Sequence, residues 1–446
     1  MKPAEYIKGI LHITTEEDRN RLYKVLLPIF MVQVGGTGIS MFISLVMGRS
    51  MGPTNYGIYA YCFSVVMGVV NFMVYGLNLL SLRETSGLLA VDKRGEWKGF
   101  MNWSTATLFT LSFGGAIATV FIIYFFPVLP DVAYRYPMLV MCSAIPLYSF
   151  LLLLSSVLRG MHKVLLSQVS EKIIRPVTML VLLALLYCFE RHITLYPALI
   201  FNSSACAAAL AFVVIKYRSG ASAMLKDIRA EYEKKRWMKE VSGLFLFGVL
   251  VSIDSQMDVY MLGYLKPPAE VGVYKIASNV ALITSFVLTI SNIVLAPSFA
   301  HLHTLKENKE LQRLVTQTIR WVMLLTAPVA IGVMIFSQQI LSLWGPGFER
   351  GQYALIILCA AHLINSAFGS VGNLALMSKF EKYNGMVLVI SIVINIALNF
   401  ALTPRWGMNG TAFASGFSIV VWNVALFFII KRKTGLRAWV FRPGRH

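Results

Sequence analysis

Apolar stretches about long enough to cross a bilayer recur twelve times along the chain, and this repetition limits the fold more than any other feature. A membrane core takes roughly 20 predominantly apolar residues per helix. The stretches fall at 25–47, 57–79, 104–127, 138–158, 167–188, 196–215, 241–263, 272–296, 321–343, 353–377, 385–403 and 410–430, and charged residues are largely confined to the gaps between them. The expected fold is an all-α integral membrane protein with twelve transmembrane helices.

The placement of positive charge turns this list into a topology. With the N-terminus in the cytoplasm, the inner segments are 1–24, 80–103, 159–166, 216–240, 297–320, 378–384 and 431–446, and they hold 31 of the 40 Lys and Arg residues. The six outer loops hold one each: Arg49, Arg135, Arg191, Lys266, Arg350 and Arg405. Only Lys172, Arg175 and Lys275 lie within helices. A bias this regular fixes orientation and the parity of the helix count, and puts both termini in the cytoplasm.

The net charge of +19 then needs no nucleic acid, because these charges face anionic lipid headgroups. The five cysteines, Cys62, Cys142, Cys188, Cys206 and Cys359, all fall in predicted helices. They are expected to be small buried hydrophobes and not a disulfide framework. The first apolar span is full length and lacks a small-residue cleavage pattern, so no cleavable signal peptide is expected. Residues 1–24 read as a cytoplasmic lead-in, with Thr14 and Glu17 spaced as a capping box.

The longest interruption, 216–240, carries eight Lys and Arg residues. It divides the chain into the lead-in 1–24, an N-lobe 25–215, a basic cytoplasmic linker 216–240, a C-lobe 241–430 and a basic cytoplasmic tail 431–446. Sliding the second lobe by 215 positions brings Gly48, Pro53, Gly57 and Tyr59 onto Gly263, Pro268, Gly272 and Tyr274. A looser match pairs Leu158-Arg159-Gly160 with Leu376-Met377-Ser378. Two six-helix repeats of equal orientation are expected, related by an axis along the membrane normal, with a central cavity between them. No G-x-x-x-x-G-K-[ST] sequence is present, which argues against an ATP-driven pump. The outer loops are too short for the chemistry of a membrane glycan polymerase. No enzymatic activity and no cofactor are expected.

The stretch from Met47 through Gly52-Pro53 and Asn55-Tyr56-Gly57 to Tyr59 resembles the first-turn signature of the polysaccharide transporter family, within the multidrug/oligosaccharidyl-lipid/polysaccharide exporter superfamily. Leu158-Arg159-Gly160 followed by Arg175-Pro176, then Asp254-Ser255-Gln256-Met257-Asp258, then Leu343-Trp344-Gly345-Pro346-Gly347-Phe348 are similar to that family as well. The resemblance implies an O-antigen-type flippase of the bacterial inner membrane. Such a protein moves a lipid-linked oligosaccharide, commonly on undecaprenyl pyrophosphate, to the outer leaflet by alternating access. It also implies work alongside a polysaccharide polymerase and chain-length machinery in lipopolysaccharide assembly. A cation or drug antiporter of the same superfamily is the competing reading. It would favour a cavity of carboxylates and aromatics, whereas the charges in the inward-entering half here are mostly cationic.

Ionisable groups at membrane depth are costly and face a cavity or a partner. The fifth helix carries Glu171, Lys172 and Arg175. Glu171 and Arg175 have the i,i+4 spacing of an ion pair, and Lys172 and Arg175 suit a pyrophosphate arriving from the inner leaflet. Alternatively the two cations lie just below the headgroups and serve orientation alone. Pro176 is expected to bend or loosen the helix. Rim residues Arg83, Arg159 and Arg320 either guide anionic headgroups or serve topology.

For ion coupling, Asp254 and Asp258 lie about 20 and 25 Å along the seventh helix by its ~1.5 Å rise. Asn395 and Asn399 lie at similar depth in the eleventh helix, and Thr411 and Ser415 near the outer end of the twelfth. These oxygens fit Na⁺ or a titrating proton. Alternatively Asp258 pairs with Lys275, and the asparagines join neighbouring helices. His362 and the polar groups Gln33, Asn71, Asn78, Asn202, Asn292, Asn365 and Asn373 carry the same two readings, hydrated cavity or interhelical bond.

Overall fold

The computed structural model describes residues 16–126, 129, 131–225, 228–292, 308–377 and 380–435. Thr14 of the expected capping box, Lys226, the stretch 293–307, Lys379 and the tail beyond 435 lie outside the described residues. Lipid offers backbone groups no partners, so an apolar chain of this kind satisfies them within helices.

The helix Glu16–Val74 is broken at Gly52, where φ is 69° and ψ is 174°. The Gly52 break and Pro53, which cannot continue a helical hydrogen-bond ladder, divide it into α1 (16–51) and α2 (53–74). Next come α3 (Leu77–Ala90), α4 (Arg94–Phe125), α5 (Arg135–Met141), α6 (Ala144–Gly160), α7 (Val164–Val169), α8 (Arg175–Glu190), α9 (Leu195–Leu225), α10 (Lys234–Leu265) and α11 (Pro268–Ala281). After the gap come α12 (Asn308–Ile335), α13 (Ser337–Ser342), α14 (Gln352–Phe368), α15 (Val371–Met377), α16 (Glu381–Trp406) and α17 (Met408–Thr434).

Among the described residues, ten helices are long and apolar enough to cross a membrane. Two further segments, Val132–Met141 and Ala144–Gly160, meet at a 50° bend and make an eleventh if taken as one span. The first of the ten, Leu27–Val74, has 48 residues, more than twice what one crossing needs. The basic stretch expected as a linker is mostly helical: α9 runs to Leu225 and α10 begins at Lys234.

The chain forms two compact units, one of residues 28–272 and one that runs from 273 toward the C-terminus and takes in residues before 28. In the first, α6 packs against α3 and α9 around fully buried Leu77, Leu80, Phe100, Leu108, Tyr134 and Met138. Small residues let helices approach closely, as is usual in membranes. A Cβ on Gly57 would strike the carbonyl of Pro268, and one on Gly272 would strike the carbonyl of Pro53. In the second unit, α16 and α17 form a hairpin through Gly407, whose φ is 56°. Leu311, Val315, Ile319, Val371, Leu374 and Leu426 build its core.

The cysteines are all free, but they differ from expectation in two respects. Cys142 sits in the break between α5 and α6 and not inside a helix, and Cys188 is exposed near the end of α8.

Candidate functional site

Pro176 shapes the fifth expected span. It has no N–H to offer the carbonyl of Lys172, and its ring crowds that carbonyl. The helix widens there into a π-turn over Ser170–Ile174, the turn type in which one extra residue is accommodated. The backbone of Lys172 lies directly against α1, so close that a Cβ on Gly36 would collide with its carbonyl oxygen. The expected bend at Pro176 is thus a local widening of the helix.

The π-turn also corrects the expected Glu171–Arg175 pair. An extra residue in the turn carries position 175 away from the face shared by i and i+4. Arg175 instead donates from Nη1 to Tyr148 Oη at 2.6 Å, with its guanidinium 5.5 Å from the centroid of the same ring. Tyr148 Oη donates in turn to Asn202 Oδ1 at 3.1 Å, and Tyr59 Oη approaches the same oxygen at 3.5 Å. Asn202 Nδ2 is 3.8 Å from Met141 Sδ. Helices α2, α6, α8 and α9 thereby converge on one cation.

Arg175 lies near the middle of the span Val164–Glu190, deeper than a residue that snorkels to the headgroups. Among the described residues it forms no ion pair with a carboxylate, and Tyr148 is its one hydrogen-bond partner. A hydroxyl and an aromatic face offset a half-buried charge only partly. The guanidinium keeps further N–H donors in a planar fork, the geometry that recognises phosphate. Tyr148 is the residue sequence reasoning missed. The available signal was a single tyrosine in the otherwise largely aliphatic stretch 138–158.

The other candidates are spread more widely. Lys172 and Glu171 are half-buried in the π-turn, and Glu171 Oε1 is buried with no hydrogen-bond partner among the described residues. Arg159 donates to Ser156 Oγ at 3.0 Å. Arg83 pairs with Glu240, and Arg320 is exposed on α12. Asp254 is exposed and Asp258 half-buried on α10, so Asp254 is not enclosed by protein.

Asp254 and Asp258 belong to the first unit, and Asn395 and Asn399 to the second. The four polar positions of α16 and α17 do come together. Asn399 Nδ2 donates to Asn395 Oδ1 at 3.0 Å, and Asn395 Nδ2 to Ser415 Oγ at 3.4 Å. Thr403 extends the chain to Asn399 Oδ1 at 3.0 Å and shares a 2.9 Å bond with Thr411. These buried groups satisfy one another across the hairpin, the interhelical role. Asn423 Nδ2 likewise donates to Asn365 Oδ1 at 2.9 Å. His362 Nδ1 is buried with no hydrogen-bond partner among the described residues, and the side chain of Asn373 lies outside the described residues. No group of three or more His, Cys, Asp or Glu able to hold a metal occurs among the described residues.

This is the architecture of a multi-pass helical membrane protein with a cation held by a tyrosine near the middle of a span, and known folds match it over nearly the whole chain. An inward-facing multidrug resistance MATE family transporter of the MOP superfamily superposes with a TM-score of 0.76 at 11% identity, over 90% of this chain and 94% of that one. The lipid II flippase MurJ in an inward closed conformation gives 0.70 at 13% identity, over 91% and 87%.

The chain belongs to the polysaccharide biosynthesis protein family, whose model matches residues 23–303. A MatE model matches residues 244–401. Among curated proteins, the probable low-salt glycan biosynthesis flippase Agl15 of Haloferax volcanii is 28% identical over 196 residues, 42% of each chain. The probable lipid II flippase MurJ of Borreliella burgdorferi is 23% identical over 210 residues, 44% of this chain and 40% of that one. The matched stretch thus spans less than half the length of these relatives.

Proposed function

We propose that the protein is a transporter and not an enzyme: a flippase that carries a lipid-linked oligosaccharide from the cytoplasmic to the outer leaflet by alternating access. The observation that carries this reading is Arg175, a guanidinium at mid-span with a tyrosine hydroxyl for a partner and donors to spare. An intramembrane cation of this kind suits an anionic headgroup such as a pyrophosphate. A carrier of organic cations would place carboxylates there instead. The family match and the flippase relatives support the same class.

The finer reading is an undecaprenyl-pyrophosphate-linked, O-antigen-type substrate in a bacterial cytoplasmic membrane, with both termini inside. Twelve crossings are supported by taking Leu27–Val74 as two spans and the bent pair as one. Lys172 is the second phosphate contact. Asp254, with Asp258, is the coupling position for Na⁺ or H⁺.

The test is export of surface glycan, with membrane abundance measured in parallel. Arg175→Ala should lose export at normal abundance, and Arg175→Lys should keep part of it, having charge without the fork. Normal export by Arg175→Ala would remove the phosphate role.

A further inference from the structure

The basic segment before α10 does not hang free as a tether. The backbone N–H of Glu231 donates to the carbonyl of Gly95 at 3.0 Å, and a Cβ on Gly99 would strike the carbonyl of Glu231. Two glycines one helical turn apart on α4 therefore make a bed for this strip of backbone. Lys98 Nζ donates to the carbonyls of Ile228 at 2.9 Å and Leu225 at 3.3 Å, capping the end of α9.

A charged cluster follows. Arg236 reaches Glu84 at 2.6 Å and Glu96 at 2.5 Å, and Glu240 pairs with Arg83. Lys93 meets Glu96 at 3.2 Å, so three carboxylates and three cations balance. Beside them Trp237 is fully buried, 5.3 Å from Phe100 and 5.4 Å from Trp103 between ring centroids.

Contacts continue along α10. The backbone of Leu244 lies against Gly76, and Phe245 packs 4.3 Å from Tyr75. Toward the other end Tyr260 Oη donates to the carbonyl of Ser64 at 2.9 Å, and Gly263 lies against the Tyr61 ring. An apolar gap of about 390 Å³ separates these two attachments, lined by Val65, Gly68, Val69, Phe72, Val249 and Ile253 among others.

We infer that residues 228–240 form a clasp fixing the seventh span to the six before it, and that the clasp stays closed through a transport cycle. Opening it would bring Trp237 into water and part Glu84 from its guanidinium. The Glu84 and Glu96 carboxylates are 12% and 6% exposed and would lose the half-exposed guanidinium that neutralises them. The sequence repeat sets the boundary between equivalent halves before α10, whereas the clasp makes α10 mechanically part of the first group. The inference uses the transport reading only for its activity measurement.

The test joins the two sides of the clasp in a Cys188→Ser background. Arg83→Cys and Glu240→Cys are linked by a short, reducible bifunctional thiol reagent in inside-out vesicles. Transport of a lipid-linked oligosaccharide is compared before and after linking. The clasp predicts efficient linking with no loss of rate. Linking that blocks transport and is reversed by reduction would overturn it, as would failure of the pair to link.

A second arm needs no transport. Trypsin should cut within 229–239 severalfold faster in Arg236→Ala than in the parent, because local opening governs cleavage. Equal cleavage would overturn the clasp even where transport is normal. An unmodified protein that moves no lipid-linked oligosaccharide would count against the transport reading alone, leaving linking yield and trypsin to decide the clasp.

Discussion

Gly57 and Gly272 touch backbone to backbone, and each one's partner is the repeat equivalent of the other's. A Cβ on Gly57 meets the carbonyl of Pro268, and a Cβ on Gly272 meets the carbonyl of Pro53. The 215-residue offset that aligns Gly57 with Gly272 also aligns Pro53 with Pro268. On the repeat expected from the sequence, such reciprocity is what a two-fold contact between equivalent surfaces would give. Here both surfaces belong to one chain.

Alanine at either glycine should force the two backbones apart. Overpacking of this kind costs about 1–3 kcal/mol, so Gly57→Ala and Gly272→Ala should lower the melting temperature of the detergent-solubilised protein. Gly87→Ala is the control, because nothing lies within 4 Å of its Cβ position. Equal melting of all three variants would refute the close contact.

Tyr148→Phe keeps the ring over Arg175 and removes the hydroxyl. Hydrogen bonds to charged groups contribute about 1.5–3 kcal/mol, so substrate affinity should fall roughly tenfold or more if the hydroxyl aims the guanidinium. Abundance should be unchanged, and titrating export against substrate level separates this outcome from misfolding. Unaltered affinity would mean that Arg175 orients itself.

Asn399 sits at the centre of the α16–α17 network, bonded to Asn395 and Thr403. Asn399→Leu should destabilise the protein by about 1–3 kcal/mol by leaving those groups unpaired. In a double-mutant cycle with Thr403→Val, the coupling should be under about 2 kcal/mol, as for other interhelical bonds in membranes. Additive effects would place the two side chains in separate networks.

Asp254→Asn retains size and hydrogen bonding and removes the charge. With purified protein in vesicles, an imposed Na⁺ or pH gradient should drive the wild type and leave the variant unaffected. An equal response in both would move coupling elsewhere, with Asp258 the next residue to test.

Cys188 should react with a membrane-impermeant maleimide added from outside intact cells, because it is exposed near the end of α8 that the proposed topology puts outside. The buried thiols of Cys62, Cys142, Cys206 and Cys359 should stay unmodified. Labelling of Cys188 only after the membrane is opened would invert the proposed topology.

The helices were legible because lipid enforces a simple rule: a long apolar run has little alternative to a helix. All twelve expected runs overlap observed helices. The cation was legible too, since Arg175 stands out in an apolar run. Its partner was not, because Tyr148 lies 27 residues away and reaches it only because α6 and α8 both pack on α9. The clasp was hidden for a similar reason. A run of Lys and Arg reads as a solvated tether until Glu84 and Glu96 arrive from another hairpin. The Glu171–Arg175 pair failed because the i,i+4 rule assumes an unbroken α-helical period, which Pro176 interrupts.

The π-turn at Ser170–Ile174 works as a phase shifter. An α-helix turns about 100° per residue, so one surplus residue taken up in the π-turn leaves every later side chain of α8 about that angle behind where an unbroken helix would place it. The same residues wound as an unbroken α-helix would swing Arg175 off Tyr148 by about that angle, with no change in composition or hydropathy. In this span, what the membrane requires and what the cation requires are thus set independently: the first by apolar length, the second by a single unit of chain count.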